Sequence, residues 1–118
     1  DLLVVISQNK AAIPATDSLA ILVSTDKHLD HVVNLTTAAF AKGKKVSLFF
    51  TGKGVLLTMK PKFKELAGKA ELIICDASFR ASGLHGREHE VPGVTMDDFT
   101  TQSQNAQMLE RADRHLVF

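Results

Sequence analysis

Short apolar runs alternate with helix-forming segments along most of this chain. Residues 19–23, 45–50 and 72–74 have the length and the β-branched or aromatic character of strands that are buried on both faces. Each run is followed by turn residues and then by a segment that can form a helix. This alternation is typical of right-handed crossover connections between parallel strands. We therefore predict an α/β fold, a three-layer α/β/α sandwich with a mostly parallel sheet of about five strands.

The remaining elements can be placed along the chain in order. We predict helices at residues 27–42, 61–67, 79–84 and 101–112, a loop at 88–93, and further strands at 94–99 and 115–118. The first helix is expected to begin at the N-cap candidates Ser24, Thr25 and Asp26. Residues 1–17 are predicted to be an N-terminal extension, with residues 2–6 an edge strand or docking arm and 7–17 a connector. Residues 18–118 are predicted to form one domain.

Composition narrows the classes of partner. The chain has 118 residues, a formal net charge of +1 and one cysteine. A near-neutral chain whose lysine clusters lack interleaved aromatic residues is not typical of a nucleic-acid binder. No apolar run approaches the length of a transmembrane helix, so we expect no membrane partner. A single cysteine cannot form an internal disulfide, which makes the cytoplasm the expected compartment.

The only cysteine, Cys75, directly follows the third apolar run. Asp76 and Ser78 come next, and both are common N-cap residues, so we expect Cys75 at a strand end that faces the start of a helix. Open α/β sheets bind ligands at that edge, and a helix N-terminus favours the reactive thiolate. Cys75 is therefore the predicted catalytic residue. The alternative is an inert core cysteine, which is common for a lone thiol.

A glycine-containing turn follows the second apolar run and is expected at the same edge. Its residues are Thr51, Gly52, Lys53 and Gly54. Backbone N–H groups in such a turn can receive a small anion, but the spacing matches neither the phosphate loop nor the dinucleotide fingerprint. A tight turn is therefore the alternative. We assign this turn, with Ser78 and Asp76, a supporting or anion-binding role.

Four of the five histidines fall near this edge: His28, His31, His85 and His89. An imidazole close to Cys75 would lower the thiol pKa or shuttle a proton. The spacing of His28 and His31 can place both on one helix face, and with Cys75 they would supply ligand types that zinc accepts. A proton shuttle and a zinc site are kept as alternatives, and no other cofactor is predicted. The acidic pairs at 88/90 and 97/98 are expected on loop surfaces.

Several short motifs, taken in chain order, form a familiar combination. They are Phe49-Phe50-Thr51 with Gly54 and Leu56-Leu57, then Cys75-x-x-Ser78 with Gly83-Leu84, then Ala112-Asp113-Arg114 leading into Leu116-Val117-Phe118. Their order and spacing resemble the DsrE/DsrF-like family over residues 19–118, and are most similar to the branch sometimes labelled peroxiredoxin-like. Without a resolving cysteine, however, the chain carries no peroxidase signature.

This resemblance implies a small α/β/α fold that assembles as trimers or hexamers. In the sulfur-relay members of the family a single cysteine carries a persulfide and passes sulfur to a partner protein. Cys75 is the matching position here, and Ser78 matches the following helix start. Asp76 departs from the pattern, because a negative charge next to the sulfur opposes thiolate formation.

These observations lead to two predictions of function from different classes. The first is a cytoplasmic sulfur carrier or sulfurtransferase-like protein that accepts sulfane sulfur as a persulfide on Cys75 and relays it to a partner protein. The second is a non-catalytic oligomeric module that binds a small anion or zinc at the same sheet edge. Flavin binding is disfavoured, because the chain has neither Trp nor Tyr to stack on the ring.

Overall fold

The computed structural model describes residues 18–118, leaving aside the side chains of residues 102, 104–106 and 109. The predicted arm at residues 2–6 and connector at 7–17 lie outside the described residues. Within them the strands are β1 (Ser18–Val23), β2 (Lys45–Phe50), β3 (Glu71–Cys75), β4 (Phe99–Thr100) and β5 (Arg114–Val117). The α-helices are α1 (Leu29–Ala41), α2 (Asp76–Ala81) and α3 (Gln102–Arg111). The 3-10 helices are Gly52–Met59, Pro61–Leu66, Glu88–Glu90 and Met96–Asp98.

The five strands form one sheet in the order β4-β3-β2-β1-β5, and every neighbouring pair is parallel. This confirms the predicted α/β fold with a parallel sheet. Since all strands run the same way, their carboxyl ends lie along one edge. The register places Phe50 opposite Val23 on one side and opposite Ile74 on the other, and Cys75 opposite Thr100. The residues that follow β2 and β3 are therefore neighbours at this edge.

Alternate residues of each strand point to opposite faces, so the sheet has two buried surfaces. We call the first the main face; it includes Ile21, Leu48 and Ile74, and it packs against α1 and the two long 3-10 helices. We call the other the cysteine face. Its buried cluster consists of Ala20, Phe49, Ile73, Cys75 and Met108, the last of which comes from α3. Helices on both faces complete the sandwich.

The segment between β2 and β3 differs from the prediction of a turn followed by a helix at 61–67. It forms two consecutive 3-10 helices, Gly52–Met59 and Pro61–Leu66, with Lys60 in an extended conformation between them. A proline disfavours the helical conformation in the residue before it, so Pro61 forces the interruption at Lys60. The turn before the first 3-10 helix lies against the end of β1, where the Thr51 N–H donates to the Val23 carbonyl oxygen at 3.0 Å.

Three predicted boundaries were also wrong. Helix α1 begins at Leu29 with His28 as N-cap, because the Ser24 N–H and hydroxyl both donate to the Phe118 carbonyl oxygen, at 2.9 and 3.1 Å. Helix α2 begins at Asp76, three residues before the predicted start. Strand β4 begins only at Phe99, because a capping box between Thr95 and Asp98 closes a 3-10 turn before it.

Candidate functional site

Cys75 is both the last residue of β3 and the N-cap of α2. Its side chain is only 4% exposed and packs on the cysteine face beside Phe49, Ile73 and Met108. Asp76 and Ser78, predicted as N-caps, instead lie within the helix, because strand β3 passes directly into it without an intervening turn. The thiol is therefore at the predicted sheet edge, and it lies beneath the surface there.

Four donors converge on the Cys75 sulfur. Burial alone raises the pKa of this thiol, but the Ser78 hydroxyl and backbone N–H, the Thr51 hydroxyl and the Ala77 N–H, which face the sulfur, outweigh it. The pKa of Cys75 is therefore lowered from its ordinary value of 9.0. Donors that point at an anion stabilise the charged form more strongly where water is excluded. The arrangement favours a thiolate in a largely dry position.

Ser78 connects the Cys75 sulfur to the turn after β2. Its Oγ accepts a hydrogen bond of 2.9 Å from the Gly52 N–H and lies 3.3 Å from the Thr51 Oγ1. Because the Gly52 N–H already donates to the Ser78 oxygen, the Ser78 hydroxyl hydrogen is available for the sulfur. The turn thus orients the strongest side-chain donor of the site, although Gly52 and Ser78 are 26 positions apart in the sequence.

The two glycines of this turn have separate structural roles. Gly52 has a φ of +53°, in the left-handed region that side chains rarely adopt. A Cβ at Gly54 would lie 2.1 Å from the Val23 carbonyl oxygen, so only glycine lets the turn approach β1. The Gly52 N–H donates to the Ser78 Oγ and the Gly54 N–H to the Thr51 carbonyl oxygen, at 2.9 Å each. These two amides are used within the protein, and Lys53 between them is exposed.

The negative charge of Asp76 is balanced by Arg80. The Arg80 Nε donates to the Asp76 Oδ2 at 2.8 Å, one helical turn along α2. Both side chains are partly exposed, at 37% for Asp76 and 55% for Arg80, so solvent also screens the carboxylate. The opposition that Asp76 offers to a thiolate at Cys75 is correspondingly reduced. Arg80 was not predicted as part of the site, although its spacing from Asp76 is the ordinary one for a helical ion pair.

The structure distributes the four histidines over separate places. The His28 and His31 rings lie against each other and against Phe118, beyond the ends of β1 and β5. Strands β2 and β1 separate β5 from β3, so the ends of β5 and β3 lie about 14 Å apart at the usual strand spacing. Within residues 18–118 no group of three or more His, Cys, Asp or Glu side chains could hold a metal ion.

His85 and His89 lie in the loop after α2. The His85 Nδ1 is 3.2 Å from the Glu88 Oε2, and His89 is exposed. Glu88, expected on a loop surface, is instead only 9% exposed. Its own backbone N–H is the first of the donors that lower the pKa of its carboxyl, followed by the Gly86 N–H and His85, against the opposing effect of burial. Glu88 therefore acts as the internal acceptor of this loop.

The fold is a parallel α/β sheet, and the site is one cysteine at a strand end, next to hydroxyl and amide donors. Together they define a class of single-thiol α/β proteins. The model of the DsrE/DsrF-like family matches residues 17–118, nearly the whole chain. The protein therefore belongs to the DsrE/DsrF-like family, which is associated with sulfur relay. No curated protein matches the chain. In the described part of the chain, none of the helices is both long enough and apolar enough to cross a membrane.

Proposed function

We propose that this protein is a cytoplasmic sulfur carrier that accepts sulfane sulfur on Cys75 and passes it to a partner protein. The observation that carries the proposal is the convergence of four donors on one sulfur atom, which lowers the thiol pKa although the side chain is buried. An inert core cysteine has no need of such donors. Membership of a family associated with sulfur relay supports the same interpretation.

The loading step follows from thiolate chemistry. The Cys75 thiolate attacks the outer sulfur of a polysulfide or of a donor persulfide, and a new S–S bond forms. The S–S bond of the donor breaks, and its electron pair leaves on the donor as a thiolate or a shortened polysulfide. Cys75 becomes a persulfide anion. Ser78 and Thr51 stabilise negative charge on the Cys75 sulfur before it is loaded and when unloading releases it again as a thiolate.

Unloading is the same exchange in reverse. A thiolate of the partner attacks the terminal sulfur of the Cys75 persulfide, forms its own persulfide, and releases Cys75 as a thiolate. A carrier works in both directions only if its thiolate is neither too basic to leave nor too stable to attack. Burial raises the pKa of Cys75 and the surrounding donors lower it, with a net shift below the ordinary value of 9.0.

Intact-protein mass spectrometry after exposure to polysulfide tests the carrier function. We expect the wild-type protein to gain one sulfur atom, a thiol reductant to remove it, and Cys75→Ser to gain none. Ser78→Ala should load more slowly than wild type at neutral pH, while Ser82→Ala, at the C-cap of the same helix, should load normally. The proposal fails if the wild type gains no sulfur, or if Cys75→Ser gains as much.

The burial of Cys75 favours a second candidate, a non-catalytic oligomeric module in which the thiol is structural. A side chain that is 4% exposed reacts only after the residues that cover it move. Such a module would bind a small anion or zinc at the sheet edge formed by residues 51–54 and Cys75, and would assemble as a trimer or hexamer. This second candidate predicts that Cys75 is alkylated at every pH as slowly as a buried, unreactive thiol. It also predicts that a ligand or metal co-purifies with the protein. Fast alkylation and no bound ligand would exclude it.

A further inference from the structure

Two imidazole rings stand together at the edge of the sheet, away from the cysteine. The ring centres of His28 and His31 are 5.8 Å apart with an angle of 46° between the planes. Both rings contact Phe118, with ring centres at 6.0 Å from His28 and 6.4 Å from His31. Phe118 is fixed in turn by the Ser24 N–H and hydroxyl, which donate to its carbonyl oxygen. The pair therefore rests on an anchored apolar ring.

The separation of the two rings suits a shared metal ion. A Zn–N bond of about 2.1 Å places a metal about 3.2 Å from the centre of each imidazole ring. Two imidazoles bound to one tetrahedral ion then have ring centres about 5.3 Å apart. If they bind on opposite sides of the ion, their ring centres are about 6.4 Å apart, which is the largest separation possible. The 5.8 Å between the ring centres of His28 and His31 lies inside this range, so their separation is compatible with both imidazoles binding one ion.

The ring nitrogens are also available. Within residues 18–118 neither ring makes a hydrogen bond to another residue, and the aromatic rings next to them are each other's and that of Phe118. His28 is half-buried and His31 is exposed, which leaves room for water on an ion held between them. Asp30 is close enough to His31 to interact with it electrostatically, but its Oδ1 is 2.7 Å from the Lys62 Nζ.

We propose that His28 and His31 form a two-histidine site for a divalent transition-metal ion such as Zn²⁺ or Ni²⁺, with water completing the coordination. Neutral imidazole is a ligand that these ions prefer, and both are bound by sites that leave positions open to water. The site does not depend on the proposed sulfur chemistry, because Cys75 ends a strand three positions away from β5 in the sheet. It would place a bound ion at the same edge of the sheet as the thiol.

Calorimetric titration with Zn²⁺ and with Ni²⁺ tests the site, using the full chain without an affinity tag and carrying Cys75→Ser, so that a thiol cannot bind the metal. We expect one ion per chain. His28→Asn and His31→Asn should each weaken binding at least tenfold, whereas His85→Asn and His89→Asn should leave it unchanged. Asparagine is a good N-cap residue, so His28→Asn should preserve the start of α1.

Paramagnetic Ni²⁺ adds a readout of position. Resonances of the Phe118 ring should broaden or shift when Ni²⁺ binds, and those of Phe79 on α2 should not. The proposal is overturned if neither ion binds at a one-to-one ratio, or if the two histidine substitutions leave binding unchanged. It is also overturned if the resonances of Phe118 do not respond to a saturating amount of Ni²⁺.

Discussion

The two faces of the sheet are built from the same strands but have different roles. The main face buries Leu, Ile, Val and Phe side chains beneath α1 and the 3-10 helices. On the cysteine face the described cluster is smaller, and it contains the thiol next to Phe49, Ile73 and Met108. Hydroxyl and amide donors reach this cluster only at its end. The comparison indicates that the main face supplies stability and that the cysteine face, at its polar end, supplies chemistry.

Adjacent phenylalanines of β2 test this division most strongly. Phe50 lies on the main face, with its ring centre 5.2 Å from that of Phe63, and Phe49 lies on the cysteine face; both are fully buried. Replacing either with alanine should lower the free energy of unfolding by about 3–5 kcal/mol, as measured by denaturant titration. Phe49→Ala should also speed alkylation of Cys75 at neutral pH, and Phe50→Ala should not. Equal effects of both on alkylation would break the comparison.

A smaller effect on stability is expected where the turn after β2 meets β1. Gly54→Ala places a Cβ 2.1 Å from the Val23 carbonyl oxygen, so the turn must move away from the strand. We expect a loss of about 2–3 kcal/mol in the free energy of unfolding, measured by denaturant titration. The pKa of Cys75 should rise, since Thr51 moves with the turn and the Gly52 N–H no longer orients the Ser78 hydroxyl.

Gly43→Ala is the matched control for this substitution. Gly43 has a φ of +74°, and a Cβ there would meet no heavy atom of the described residues within 4 Å. The cost is therefore backbone strain alone, about 1 kcal/mol. The pKa of Cys75 should not change. If Gly54→Ala were no more destabilising than Gly43→Ala, the close approach of the turn to β1 would be contradicted.

The dependence of stability on pH sharpens the role of the cysteine face further. Because folding lowers the pKa of Cys75, the thiolate contributes stability that is fully present above the ordinary thiol value of 9.0. This contribution disappears as the pH falls through the lowered pKa of the folded state. The wild type should therefore gain stability relative to Cys75→Ser as the pH rises toward 9.0. Thermal or denaturant unfolding of both proteins across this pH range measures the difference in their free energies of unfolding. A difference that shrinks with rising pH would contradict the claim that the donors lower the pKa of Cys75.

The smallest effect is expected from the ion pair on α2. Arg80→Gln removes the partner of the Asp76 carboxylate, and the unbalanced charge should raise the pKa of Cys75 slightly, as measured by its alkylation rate against pH. Both side chains of the pair are partly exposed, so raising the ionic strength to about 1 M should remove most of the difference from wild type. A difference that persists unchanged at high salt would indicate that Arg80 acts by packing.

Much of the fold follows from local signals in the sequence. The apolar runs around Ile21, Leu48 and Ile73 predicted the strands, and a parallel sheet follows from their alternation with helices. The strand order does not follow, because several parallel orders satisfy the same pattern. The predicted start of α2 was wrong for a related reason. N-cap preferences describe isolated helices, whereas the Ser78 hydroxyl is taken up by Gly52 and by the Cys75 sulfur.

The candidate site was predictable in its parts but not in its arrangement. Cys75, Ser78 and Thr51 could be named from their positions after predicted strands. That they meet depends on β2 and β3 being neighbours, which is a property of the folded sheet. The Ala77 N–H could not be singled out, because nearly every residue carries that group. The separation of His28 from Cys75 likewise depends on β5 lying beside β1 at the far side of the sheet.

The rate of Cys75 alkylation as a function of pH tests the central claim most directly. We expect a midpoint below the ordinary thiol value of 9.0 for the wild type, and a midpoint at higher pH for Ser78→Ala and Thr51→Val, with melting temperatures measured in parallel to confirm folding. A wild-type midpoint at or above 9.0 would contradict the claim that these donors stabilise the thiolate. So would a Ser78→Ala protein that is folded and has the same midpoint as the wild type.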